Sequence, residues 1–122
     1  MSYYNDVQII LYSVSDKVPW AAVKVWFDEN YPRSGAEEYG GVVTYHPDAS
    51  TVHVDYHDVR WGNGMQHVGD VMASLSKFID AFAEDGVAWE FVRIGEDTDD
   101  IERDDGGLSQ YRLWIRREIV LD

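Results

Sequence analysis

Glu96, Asp97, Asp99, Asp100, Glu102, Asp104 and Asp105 fall within one ten-residue stretch. Carboxylates at this density can ligate a hard cation, offer an anionic strip to a basic surface, or stay a solvated loop. An EF-hand loop needs oxygen ligands at alternating positions, and Ile101 stands at the third of them. A looser Ca²⁺ or Mg²⁺ site remains open. As a strip, the stretch would imitate nucleic-acid phosphates, which in duplex DNA lie about 1.7 Å of axis apart. A protein that handles nucleic acid would then present its Lys and Arg side chains to it.

A second constellation is His53, Asp55 and His57, spaced by two along an alternating segment. Period-two spacing puts the three on one strand face, about 6.5–7 Å apart along the backbone. Imidazole with carboxylate is a zinc-type donor set, and His46 or His67 could join it. The same trio also reads as the polar face of a half-buried strand, and no His-Glu-x-x-His spacing is present. No phosphate-binding loop follows Gly62-Asn63-Gly64, and no Gly-x-Ser-x-Gly elbow occurs. Glu90 and Glu96 form an acid and base pair only on paper, because Glu90 between Trp89 and Phe91 reads as a solvent-facing strand residue. The sequence therefore predicts no catalytic residues and no cofactor.

The carboxylate stretch belongs to a strongly acidic chain. The net charge is −13 over 122 residues, and Lys occurs only at Lys17, Lys24 and Lys77. Such a surface repels bare nucleic acid and anionic membrane and attracts basic protein surfaces. Solubility alone is the competing explanation of the charge. The apolar fraction of 45%, with 5 Trp, 8 Tyr and 4 Phe, excludes intrinsic disorder. No cysteine is present, so disulfides and thiolate chemistry are excluded, and a cytoplasmic location is expected. No apolar run reaches the ~20 residues of a bilayer span, and Met1–Asp6 does not read as a signal peptide.

The elements that must position these residues follow from periodicity. Val7–Val14 alternates as a strand, and Pro19 opens a helix through Trp20–Phe27 that Pro32 stops, with β-branched Val23 and Val25 leaving a strand as the alternative. Gly41–His46 and Thr51–Tyr56 flank the turn Pro47-Asp48-Ala49-Ser50 as a hairpin, with Val52, Val54 and Tyr56 on its apolar face. Met65, Val68, Met72, Leu75, Phe78, Ile79 and Phe82 form a helical stripe ending near Gly86. Val87–Ile94 is a strand, Gly95–Leu108 an acidic loop, and Gln110–Leu121 a last strand. The order β-α-β-β-α-β-β in residues 1–122 predicts a single α+β domain. A mainly antiparallel sheet would carry both helices on one face, as a ferredoxin-like variant. Arg112, Arg116 and Arg117 are the basic cluster, placed either to pair with the acidic loop or to make a homodimer contact.

The start Met1-Ser2-Tyr3-Tyr4, the helix leading into Phe78-Ile79, and Phe91-Val92-Arg93-Ile94-Gly95-Glu96-Asp97-Thr98-Asp99-Asp100 resemble small acidic phage- and prophage-encoded proteins. The resemblance lies mainly in the C-terminal half. It implies a phage context and an anti-defence role of the anti-CRISPR or anti-restriction kind, and it transfers no functional residue. The expectation is a non-enzymatic inhibitor that binds a basic, nucleic-acid-handling host protein through Glu96, Asp97, Asp99, Asp100, Glu102, Asp104 and Asp105. The alternatives are a metal- or small-ligand-binding domain, possibly an enzyme, using His53, Asp55 and His57, and a virion or oligomeric structural component.

Overall fold

Strict alternation makes Asn5–Ser13 (β1) a strand with two different faces, and both become buried. Val7, Ile9 and Leu11 face one way, Ile10 and Tyr12 the other, and each is at most 1% exposed. That pattern requires a central strand covered on both sides. The computed structural model describes residues 5–32, 41–62, 64–82, 86–97, 99–115 and 119–121. In it β1 is followed by α1 (Trp20–Asn30), β2 (Gly41–His46), β3 (Thr51–Val59), α2 (Gln66–Ala81), β4 (Val87–Ile94) and β5 (Ile101–Gly107), then β6 (Leu113–Ile115) and β7 (Ile119–Leu121). The five-stranded sheet has the order β2-β3-β1-β4-β5, and every neighbouring pair is antiparallel. The first four strands reproduce the ferredoxin-like order, and β5 extends it at the β4 edge. The fold is α+β, as the element order predicts.

Both helices cover the face that carries Val7, Ile9 and Leu11. Val23 and Phe27 of α1, with Val68, Val71, Leu75 and Phe78 of α2, join Val52, Val54, Tyr56 and Phe91 in one apolar cluster. Pro19, without an N–H to satisfy, stands at the N-cap of α1. The α2 stripe runs from the Met65 N-cap to Ala81. Its predicted continuation towards Gly86 passes through residues 83–85, which, like Met1–Tyr4, lie outside the described residues. The opposite face is covered by the small β6–β7 hairpin, whose Leu113 and Ile119 pack on Ile10, Tyr12, Ala88 and Val92.

Two predicted segments are corrected. The acidic loop is short, because Ile101–Gly107 is strand β5, paired from Ile94↔Ile101 to Ala88↔Gly107. Ladder bonds to β4 and the Arg93 ion pairs override the low strand propensity of Asp and Gly. The last strand does not run from Gln110 to Leu121 either. Tyr111 takes a left-handed backbone (φ 54°) and is 66% exposed, whereas Leu113 is fully buried. The alternation of a single continuous strand is broken there, and among the described residues only β6 and β7 pair beyond it.

Candidate binding surface

The β4–β5 turn is held by its own backbone and by Arg93. Gly95 N–H donates to the Asp100 carbonyl at 2.7 Å, and Asp100 N–H to the Asp97 carbonyl at 3.0 Å. The Arg93 guanidinium donates to Asp100 at 2.8 Å and to the Asn5 side chain at 2.9 Å, and its Nε lies 3.6 Å from Glu102. The Asp100 bond raises the Arg93 pKa above its ordinary value, so this cation is fixed. Asp100 and Glu102 are thus partly neutralised from within.

Across from this turn, β1 and β3 carry a bulge. Asn5 pairs with Val59 and Val7 with Tyr56, which leaves His57 and Asp58 opposite Asp6 alone. Asp58 takes φ 52°, a left-handed conformation that Asp tolerates better than most residues. The bulge brings Asp6 to 2.7 Å from His57 Nδ1, and Asp58 lies 3.9 Å from the other ring nitrogen. A cavity of about 440 Å³ opens beside it, lined by Asn5, Asp6, Asp58, Ile94, Gly95 and Glu96. Residues from β1, the end of β3 and the β4–β5 turn therefore meet at one end of the sheet. Asp6 and Asp58 were not among the predicted site residues; only the pairing of β1 with β3 places them there.

Strand alternation divides the rest of the acidic stretch. Asp104 lies opposite Phe91 and Glu102 opposite Arg93, on the face covered by α2. Asp105 lies opposite Glu90 and Arg103 opposite Val92, on the face covered by the hairpin. Glu96, Asp97 and Asp99 stay in the turn. The predicted strip is thus a turn plus one strand edge, not a single loop.

The trio His53, Asp55 and His57 is not assembled. His53 is half-buried, donates from Nε2 to Gln8 Oε1 at 2.8 Å, and lies 6.0 Å from the His46 ring, while desolvation lowers its pKa. His57 is exposed at the bulge. Among the described residues, the donors able to converge on one ion are instead Asp6, His57 and Asp58, whose ligand atoms lie within 4.8 Å of one another.

Glu90 corrects the solvent-facing expectation. It is 1% exposed beneath the hairpin. One carboxylate oxygen accepts the Tyr12 hydroxyl at 2.5 Å and Arg112 N–H at 3.0 Å; the other accepts Leu113 N–H at 2.9 Å and lies 3.6 Å from Arg103. The Tyr12 oxygen in turn accepts Gln110 N–H at 2.7 Å. Burial and the Glu90 contact push the Tyr12 pKa well above its ordinary value. Arg112 lies over the Tyr12 ring at 4.9 Å and donates to Thr51 at 2.5 Å, so it braces β1 and β3. Arg116 and Arg117 lie outside the described residues. No helix among the described residues is long and apolar enough to cross a membrane.

The fold and this surface define an acidic α+β protein with an anionic sheet end. No protein-family model, curated protein or solved structure matches the chain.

Proposed function

We propose that the protein is a non-enzymatic binding protein that engages a basic, nucleic-acid-handling protein through its acidic sheet end and β5 edge. This is how a phage-encoded inhibitor of host defence would act. The observation that carries the reading is the meeting of Asp6 and Asp58 with Glu96 around one cavity, next to Asp97 and Asp99. Charges distant in sequence add to the acidic turn there. Arg93 balances Asp100 and Glu102 but leaves this rim anionic. Such a surface speeds encounter with a cationic partner and loses its effect as salt rises.

The test is competition. Basic proteins retained at low salt are recovered with a salt gradient, and each is assayed for release of bound DNA or RNA by this protein. The expected result is displacement that weakens with salt and is lost when Glu96, Asp97, Asp99 and Asp104 are changed to Gln or Asn. Undiminished displacement by that variant overturns the reading. A second reading rests on the Asp6–His57–Asp58 group, whose donor set suits a divalent transition ion. Calorimetry with Zn²⁺ or Mn²⁺ tests it: saturable binding lost in His57→Ala supports the site, and no heat above dilution removes it.

A further inference from the structure

Along the seam between α2 and β5, one half is sealed and the other half is open. At the sealed half, Gly106 lets the Trp89 indole lie on the strand, since a Cβ there would come within 2.1 Å of Trp89 Nε1. Next to it, Gly107 adopts φ 69°, with Ile79 Cδ1 2.9 Å from the position of an added Cβ. At the open half, a cavity of about 280 Å³ is walled by Trp61, Val68, Met72 and Phe91, with Glu102, Arg103 and Asp104 along its β5 edge. Trp61, Val68 and Phe91 are buried, so the floor is apolar and aromatic. Inward positions of a strand beneath a helix ordinarily carry apolar side chains; here positions 102 and 104 carry carboxylates.

We propose that this slot receives a single arginine side chain of a partner protein. The volume lies below the range of drug-sized ligand pockets and suits one long side chain. A guanidinium has a planar face to stack on Trp61 and an N–H fork to meet a carboxylate, whereas a lysine ammonium offers neither. Its aliphatic stem matches the Val68 and Met72 wall. Two of the chain's own arginines lie beside the slot. The Arg103 guanidinium reaches Glu90 and the Tyr111 ring on the other face, and Arg93 reaches Asn5, Asp100 and Glu102, so Asp104 is the carboxylate left to meet a ligand. No ion pair engages Asp104 among the described residues, and its Oδ1 accepts only the adjacent Asp105 N–H there. The inference rests on the reading of a basic partner and names the side chain that anchors it.

The probe is a capped Gly-Arg-Gly peptide, compared with its citrulline and lysine counterparts and followed by the Trp61 indole resonance. The expected result is a saturable Trp61 shift with arginine, at least fivefold weaker with citrulline or lysine. Asp104→Asn should weaken arginine binding about tenfold, or about 1.4 kcal/mol. Met72→Trp should fill the slot and abolish the shift. Asp48→Asn, in the turn between β2 and β3 at the opposite edge of the sheet, should leave the affinity within twofold. Equal shifts with arginine and citrulline, or an Asp104→Asn protein that binds unchanged, overturn the slot even if Met72→Trp fails to fold. Intact displacement of nucleic acid alongside an unresponsive Trp61 overturns the slot alone. A responsive Trp61 with no displacement by the wild-type protein overturns the wider reading alone.

Discussion

Substituting Glu90 with Gln tests whether one buried carboxylate holds the C-terminal hairpin on the sheet. The side-chain shape is kept, but one acceptor oxygen becomes a donor. In either orientation that NH₂ faces a donor: Leu113 N–H and Arg103 on one side, Arg112 N–H and the Tyr12 hydroxyl on the other. A hydrogen bond to a charged group contributes about 1.5–3 kcal/mol, and a buried donor left without an acceptor costs about 1–3 kcal/mol. The expected loss is therefore about 2–4 kcal/mol. For a chain of this length, each kcal/mol lowers Tm by about 4 °C, so a fall of roughly 8–16 °C is expected. Tyr12→Phe removes one hydroxyl and leaves Gln110 N–H without that acceptor, for about 1–2 kcal/mol. Because the two groups share a contact, the double variant should lose less than the sum of the single losses. Native-state hydrogen exchange localises the effect: the amides of Gln110, Arg112 and Leu113 should speed up before those of β1. If Glu90→Gln melts within 2 °C of the parent with those three amides still protected, the anchoring argument is wrong.

Three further outcomes follow from the packing. Burial raises the Tyr56 pKa to about 12 and that of Tyr31 above its ordinary value, and their hydroxyls bond at 2.7 Å. A phenol whose folded pKa is raised contributes stability that is complete below pH 10 and lost as pH climbs towards 12. Spectrophotometric titration at pH 11 should leave Tyr12, Tyr31 and Tyr56 protonated, and denaturant midpoints should fall across that window. Gly106→Ala must displace the Trp89 indole, for a cost of about 1–3 kcal/mol and a shift in tryptophan emission. Arg93→Gln removes the cation between Asn5, Asp100 and Glu102, with its side chain 16% exposed, and should cost about 1–2 kcal/mol by chemical denaturation.

The parts of this fold that could be read from sequence are those in which one segment's own pattern decides its place. The α2 stripe and the β2–β3 hairpin are of this kind, since Val68, Leu75 and Phe78, and Val52, Val54 and Tyr56, are buried as their spacing implies. β5 could not be read so, because Glu102-Arg103-Asp104-Asp105-Gly106-Gly107 has neither strand propensity nor apolar alternation. It is a strand because β4 offers it an edge. Glu90 shows a subtler failure. Its predicted face, away from Trp89 and Phe91, is correct, but a hairpin more than twenty residues later in the chain covers that face. Trp61 belongs to no strand alternation or helical stripe in the sequence, yet it packs 5.1 Å from Tyr56 and 6.0 Å from Phe91. Asp6 and Asp58 meet through a register shift that no local pattern encodes.

If these acids engage a cationic partner as proposed, folding and binding depend on salt in opposite ways. A net charge of −13 repels itself in the folded state, so screening stabilises the fold. Attraction to a cationic partner is a screened interaction too, so salt weakens it over a Debye length of about 8 Å at physiological strength. If the acidity served solubility alone, neutralising any comparable set of exposed carboxylates would have the same effect. If it serves recognition, position matters. Asp97 and Asp99 are exposed in a turn, whereas Asp100 and Glu102 are engaged by Arg93. Neutralising the first set should relieve repulsion and abolish binding together, raising Tm while lowering affinity. Neutralising Asp100 should do the reverse to the fold, because it strips Arg93 of its 2.8 Å partner and leaves the outer rim charged.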